Sequence, residues 1–323
     1  MGQKHLIVVH GRSTKPTHKE KLELVTKALV GGLGRVDEGA EKAVADGTIR
    51  LSLAYYGDIL NDILVEADDH KKDRMTQVDG EYFEVADSYR ESMGKLVKRP
   101  TAKHTKAEYK QIISKEKDKR FVDDVARFVS PVISLFGMSR RVLNKLLPDM
   151  GAYLTKRKYG SAIRQRLQKP LKEALLRGDD VAIVSHSMGC IVAYDVLWKL
   201  SQMSEYADFW SKRVSLWMTI GSPLGEPAIK DGLYDAGEAE EDKYPRNVSH
   251  WLNIAAHDDF VAHDGDAADD FRRMLRAGVV GGIEDLPRIY TFWVGREGSN
   301  PHKLYGYLNH PVVAGRLAQW IAN

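Results

Sequence analysis

Short apolar runs that end in turn residues recur along the chain. Residues 6–9 end at His10-Gly11, 49–55 at Gly57-Asp58, and 181–184 at Ser185-His186-Ser187. Residues 214–220 end at Gly221-Ser222-Pro223, 251–255 at His257-Asp258-Asp259, and 288–294 at Gly295. Several of these runs are apolar throughout rather than alternating, the pattern of strands buried on both faces. Helical stripes fall between them. Leu22, Val25 and Leu29 form one; Ile163, Leu167, Leu171 and Leu175 another; residues 191–200 follow the third strand; Val313, Leu317 and Trp320 close the chain. Pro170 lies inside the second stripe and predicts a kink or a split there. This alternation predicts an α/β fold, a mostly parallel central sheet flanked by helices. Ligands of such sheets bind at the carboxyl ends of the strands, so the residues at the run ends are where chemistry is expected.

One stretch breaks the alternation. Residues 59–156 carry no convincing core strand and read as a helical insertion of about 100 residues, a cap, between core segments 1–58 and 157–323. Within it, Phe121, Val125, Phe128, Val132 and Phe136 form an apolar stripe disturbed by Pro131. From Lys95 to Arg120 there are ten Lys/Arg against three Asp/Glu. The simplest reading of that run is a solvated face. A contact between the cap and an anionic membrane surface is the sharper one.

Composition narrows the classes. The 323 residues are 43% hydrophobic and 29% charged, ordinary globular values that exclude collagen-like, coiled-coil and disordered chains. A net charge of +3 is too small for a typical nucleic-acid binder, so none is expected as a partner. The one cysteine, Cys190, excludes an intramolecular disulfide framework and any multi-cysteine metal site. His257 and His263 stand near acids, but no second cluster completes a metal site, so no metal and no cofactor are expected. Residues 128–139 are too short to span a bilayer, and no leader is legible, so the expected location is the cytoplasm.

Residues 181–193 are the most informative segment. They read as a strand, a tight turn with Ser187 at its apex, and a helix. A nucleophile elbow needs small residues around its Ser because the turn is strained and packs closely. Gly189 supplies one; the other is Ser185, so the motif is Ser-x-Ser-x-Gly rather than Gly-x-Ser-x-Gly. With His10-Gly11-Arg12 after the first strand and Gly221-Ser222-Pro223-Leu224-Gly225 after the fourth, the chain resembles serine hydrolases of the α/β-hydrolase superfamily, on the lipase and esterase side.

The resemblance implies a triad in the order Ser, acid, His. Asp259, in Asp259-Phe260-Val261, fits the acid position, with Asp258 as the alternative. His302, followed by aromatic residues before the last helix, fits the base, with His310 as the alternative. His310 precedes Pro311 and also suits a helix start. The oxyanion hole would be formed by the backbone N–H groups of Met188 and Arg12. The expected activity is cleavage of a carboxylic ester, small-molecule or lipid, through an acyl-enzyme. A thioesterase, amidase or phospholipase using the same triad stays open, as does a non-catalytic module on the same fold. Cys190, three residues past Ser187, reads as a small buried packing residue.

Overall fold

The computed structural model describes residues 2–13, 15–67, 147–256, 259, 266–286, 289–291, 293–295, 298–299 and 301–323. Six strands form one parallel sheet: β1 (Lys4–Val9), β2 (Arg50–Ala54), β3 (Asp180–His186), β4 (Val214–Ile220), β5 (Val248–Ile254) and β6 (Ile283–Asp285). Their order is β2-β1-β3-β4-β5-β6. A separate two-stranded ribbon pairs β7 (Val294–Gly295) with β8 (Gly298–Ser299).

Successive residues of a strand face opposite ways, and each face here meets its own helical layer. Ile7, Val9, Val181, Ile183, Trp217 and Trp251 point into one core. That core is closed by α3 (Gly57–Ala67), α4 (Pro148–Thr155), α5 (Arg157–Arg177) and α6 (Met188–Gln202). Leu6, Val8, Ala182, Val184, Leu216 and Met218 point into the other. There α1 (His18–Leu33), α2 (Glu38–Ala45), α10 (Leu304–Leu308) and α11 (Pro311–Ala322) close it. The short helices α7 (Pro227–Lys230), α8 (Ala267–Asp270) and α9 (Arg272–Arg276) and two 3-10 turns, Ser204–Phe209 and Glu240–Asp242, complete the described elements. Burial on both faces is why β1, β3 and β4 carry little polar alternation.

Three expectations change. Residues 59–67 and 148–155, counted with the insertion above, lie in α3 and α4, where Leu60, Ile63, Met150 and Tyr153 join the first core. The apolar stripe 121–136 and the basic run 95–120 lie outside the described residues. Pro170 does not split α5, which runs unbroken from Arg157 to Arg177. The carbonyl left without a partner by Pro170 is that of Arg166, which is exposed, so water can satisfy it. Finally, the sixth strand of the sheet lies ahead of the run expected for it. It is Ile283–Asp285, half-buried at the sheet edge, while Ile289 makes only an isolated bridge to Ala256.

One polar row crosses the sheet beneath the strand ends. Ser185, Thr219, Asn253 and Asp285 are register neighbours on β3, β4, β5 and β6. Thr219 donates to Asn253 Oδ1 at 2.8 Å, and the Asn253 amide donates to Asp285 at 2.8 Å. Trp217 and Trp251, stacked with centroids 4.3 Å apart, donate their indole N–H groups to Ser185 and Thr219 at 2.9 Å each. Asp285 accepts from the N–H groups of Ala267 and Ala268, both at 2.8 Å. A row whose groups are bonded to one another penalises a register slip, because any shift strands buried polar atoms. It also explains why the elbow carries Ser185 where glycine was expected: the hydroxyl is the acceptor for the Trp217 N–H.

Among the described residues, no helix is long and apolar enough to cross a membrane.

Candidate active site

The strand order reverses between β1 and β3, and open α/β sheets place their ligand crevice at such a reversal. The chain leaves β1 through His10-Gly11-Arg12 and leaves β3 through Ser187. Hydrogen bonding of β3 continues one residue past the strand, with Ser187 N–H donating to Ile220 O at 3.2 Å. Ser187 then takes φ 55° and ψ −126°, a left-handed conformation that a non-glycine residue adopts only under constraint. Helix α6 starts immediately after it. A Cβ on Gly189 would lie 2.6 Å from the carbonyl oxygens of Val9 and His10, so only glycine lets α6 approach β1 this closely.

Three of the residues singled out in the sequence meet here. Ser187 Oγ lies 2.8 Å from His302 Nε2. His302 Nδ1 lies 2.8 Å and 3.0 Å from the two carboxylate oxygens of Asp259. A carboxylate accepts, so Nδ1 carries the proton, and Nε2 is left to accept from the Ser187 hydroxyl. Asp259 is fully buried at its side chain, whereas His302 keeps 18% of its side chain exposed, so the imidazole is the member that faces the crevice. Gly221, at φ 55°, passes directly beneath: a Cβ there would sit 2.9 Å from Asp259 Oδ2 and 3.2 Å from the His302 ring.

The loop after β1 is tied down by α4. Asp149, fully buried on α4, takes the Arg12 guanidinium through Nε and Nη2 at 3.1 Å and 3.0 Å. It also accepts from the N–H groups of Ser13 at 2.7 Å and Met150 at 3.0 Å. Burial by itself would raise the Asp149 carboxyl. The Arg12 charge and the backbone donors outweigh it and hold the group below the usual carboxylate value. Lys15 Nζ donates to Arg12 O at 2.6 Å. His10, buried, accepts from Tyr56 N–H at Nε2 (3.1 Å) and faces Gly11 O with Nδ1 (2.8 Å), which fixes Nδ1 as its protonated nitrogen. Tyr56 also donates its phenol to His10 O. The backbone of Arg12 thus sits in a braced loop. Met188 opens α6, where the first N–H groups have no intrahelical partner.

The remaining candidates fall elsewhere. His310 caps α11, its Nδ1 accepting from Val312 N–H at 3.1 Å, and burial, with Arg35 nearby, lowers it to about 3. Asp258, His257 and His263 lie outside the described residues. Among the described residues no group of three or more His, Cys, Asp or Glu could hold a metal ion. Cys190 is buried with its thiol directed at Ser185 O (3.2 Å), and burial raises it to about 11. Asp149 was not singled out in the sequence, because nothing local marks a partner 137 positions from Arg12. Tyr307 appeared there only as part of an aromatic pattern; its hydroxyl donates to Asp259 Oδ2 at 2.6 Å.

No protein-family model, no curated protein and no solved structure matches this chain. What the site can do therefore follows from its atoms.

Proposed function

We propose that the chain is a serine hydrolase of the α/β-hydrolase type that cleaves carboxylic esters. The observation that carries this reading is the unbroken Ser187–His302–Asp259 hydrogen-bond chain at the reversal of the sheet, with a constrained backbone at the serine. A buried Ser with positive φ bonded to an imidazole is an expensive arrangement for a purely structural turn.

The mechanism follows from the roles of the atoms. The Ser187 Oγ–H bond breaks as Oγ attacks the acyl carbonyl carbon, and His302 Nε2 takes the proton. Asp259 stays ionised, holds the Nδ1–H tautomer and stabilises the imidazolium. The carbonyl oxygen becomes an oxyanion, for which Met188 N–H and Arg12 N–H are the donors we assign. The carbon–oxygen bond to the leaving alkoxide breaks, the alkoxide takes the proton from His302, and an acyl-Ser187 ester remains. Water, deprotonated by His302, then repeats the sequence and releases the acid. Thioesters and amides would follow the same steps. We place esters first because the motifs after β1 and β4 are of the lipase and esterase kind. A cap role for the residues between α3 and α4, and their contact with a lipid surface, belong to the same proposal.

The test is turnover of p-nitrophenyl esters of rising acyl length. Wild-type protein should hydrolyse at least the short members, and Ser187→Ala and His302→Ala should each lose the activity by a factor of about 10⁴ or more. Equal turnover by wild type and Ser187→Ala would sink the reading.

A further inference from the structure

The elbow carries a second polar side chain that the three-residue chain does not use. His186, immediately before Ser187, is buried, and its Nε2 lies 2.7 Å from the backbone carbonyl of His302. A carbonyl only accepts, so Nε2 carries the proton and donates. Nδ1 has no partner and faces Gly11, where a Cβ would come within 2.9 Å of it. The ring lies 4.7 Å from the His302 ring at 38°. Burial first, then the neighbouring His302, holds His186 neutral. A neutral donor on the turn that bears the nucleophile therefore grips the backbone of the base, 116 positions later in the chain.

Asp259 is gripped in a similar way. Tyr307 is fully buried; its hydroxyl donates to Asp259 Oδ2 at 2.6 Å and accepts from Ala256 N–H at 3.1 Å. Because the backbone N–H occupies the acceptor side of the phenol, the O–H is directed at the carboxylate. The His186 and Tyr307 rings stand 6.0 Å apart, so the two donors are direct neighbours. An apolar ring would fill the place of His186 without burying an unpartnered nitrogen, so packing alone does not explain it.

We propose that His186 and Tyr307 are positioning residues, His186 fixing the main chain of the base and Tyr307 fixing the carboxylate that orients it. The proposal rests on the reading of Ser187 as nucleophile. Asp259 is the carboxylate at this imidazole, and Lys15 from the loop after β1 and Lys21 from α1 are the cations that bear on His186.

The experiment measures kcat and KM for p-nitrophenyl acetate from pH 5 to 9 in wild type, Tyr307→Phe, His186→Phe and His186→Gln. In Tyr307→Phe, kcat should fall about tenfold at an unchanged KM, as expected for one lost hydrogen bond to a charged group. His186→Phe should lower kcat at constant KM, and His186→Gln, which keeps an N–H of similar reach, should restore most of the loss. Wild-type kcat in both Tyr307→Phe and His186→Phe would overturn the proposal. So would equal losses in His186→Phe and His186→Gln. A Tyr307→Phe chain that fails to unfold cooperatively leaves the decision to the two His186 variants. Wild-type protein without ester turnover overturns the Ser187 reading as well, which separates the two failures.

Discussion

The guanidinium of Arg12 lies 3.0 Å from Asp149, a carboxylate with no exposure at all, and the pair ties the loop after β1 to helix α4. Removing the cation leaves a buried anion that only two backbone N–H groups still serve. Arg12→Met should therefore destabilise the fold by about 3 kcal/mol at pH 7, measured by urea unfolding. The sign with pH is fixed by the direction of the shift. In wild type the Asp149 carboxyl is held low, so its contribution is present above the unfolded carboxylate value of about 3.9 and is lost as pH falls through the folded value. In Arg12→Met burial dominates and the folded value rises. The penalty should be largest at neutral pH and shrink as pH falls toward 4. A pH-independent penalty would contradict the account.

The backbone of Ser187 stores strain that the proposed nucleophile role accounts for. At φ 55° and ψ −126°, glycine is at ease where alanine is not. Ser187→Gly should be more stable than Ser187→Ala by about 1 kcal/mol, the order of strain held by one such residue. Neither variant should turn over ester. Equal midpoints in thermal or urea unfolding would mean that the elbow is relaxed.

Gly221 is the position where a single methyl group should disturb the chemistry most. It combines φ 55° with a tight fit: an added Cβ would meet Asp259 Oδ2 at 2.9 Å and the His302 ring at 3.2 Å. Gly221→Ala should push the acid and the base out of line and lower kcat by about 100-fold, the usual effect of a displacement near 1 Å. Circular dichroism should show the fold retained. Unchanged kcat would show that the base loop adapts to Gly221 and is not held by it.

Much of the site is legible in the sequence, because its residues must satisfy local rules. Elbow, loop and base carry their own signatures: small residues around Ser187, His10-Gly11 after an apolar run, and His302 ahead of the aromatic residues of α10. Five of the six strands are legible as runs rich in apolar residues, and in β1, β3 and β4 burial on both faces removes most polar alternation. The sixth is not, because an edge strand of three residues, Ile-Glu-Asp, buries too little to show an apolar run. Asp149, Tyr307 and the Ser185–Asp285 row are illegible for a different reason. Their roles exist only through partners brought together by the sheet, and no periodicity along one segment encodes them. Ser185 is the instructive case. As a motif it departs from the expected glycine; in three dimensions it is the acceptor for the Trp217 indole.

Cys190 gives a prediction about a nucleophile that is not one. Its buried thiol, raised to about 11, should be inert in the folded protein. Iodoacetamide at pH 8 should leave the native mass and the ester turnover unchanged, and should add one carbamidomethyl group in urea. Native alkylation with loss of turnover would return Cys190 to the site.

The central claim is that Ser187 is a nucleophile activated by His302 and Asp259, and covalent labelling reads it most directly. A fluorophosphonate probe should add once to wild-type protein, on the peptide that contains Ser187. It should not add to Ser187→Ala, and His302→Ala should react more slowly by a factor of about 100 or more, the scale of general-base assistance. Folded wild-type protein that stays unlabelled, or that is labelled at another residue, would contradict the account.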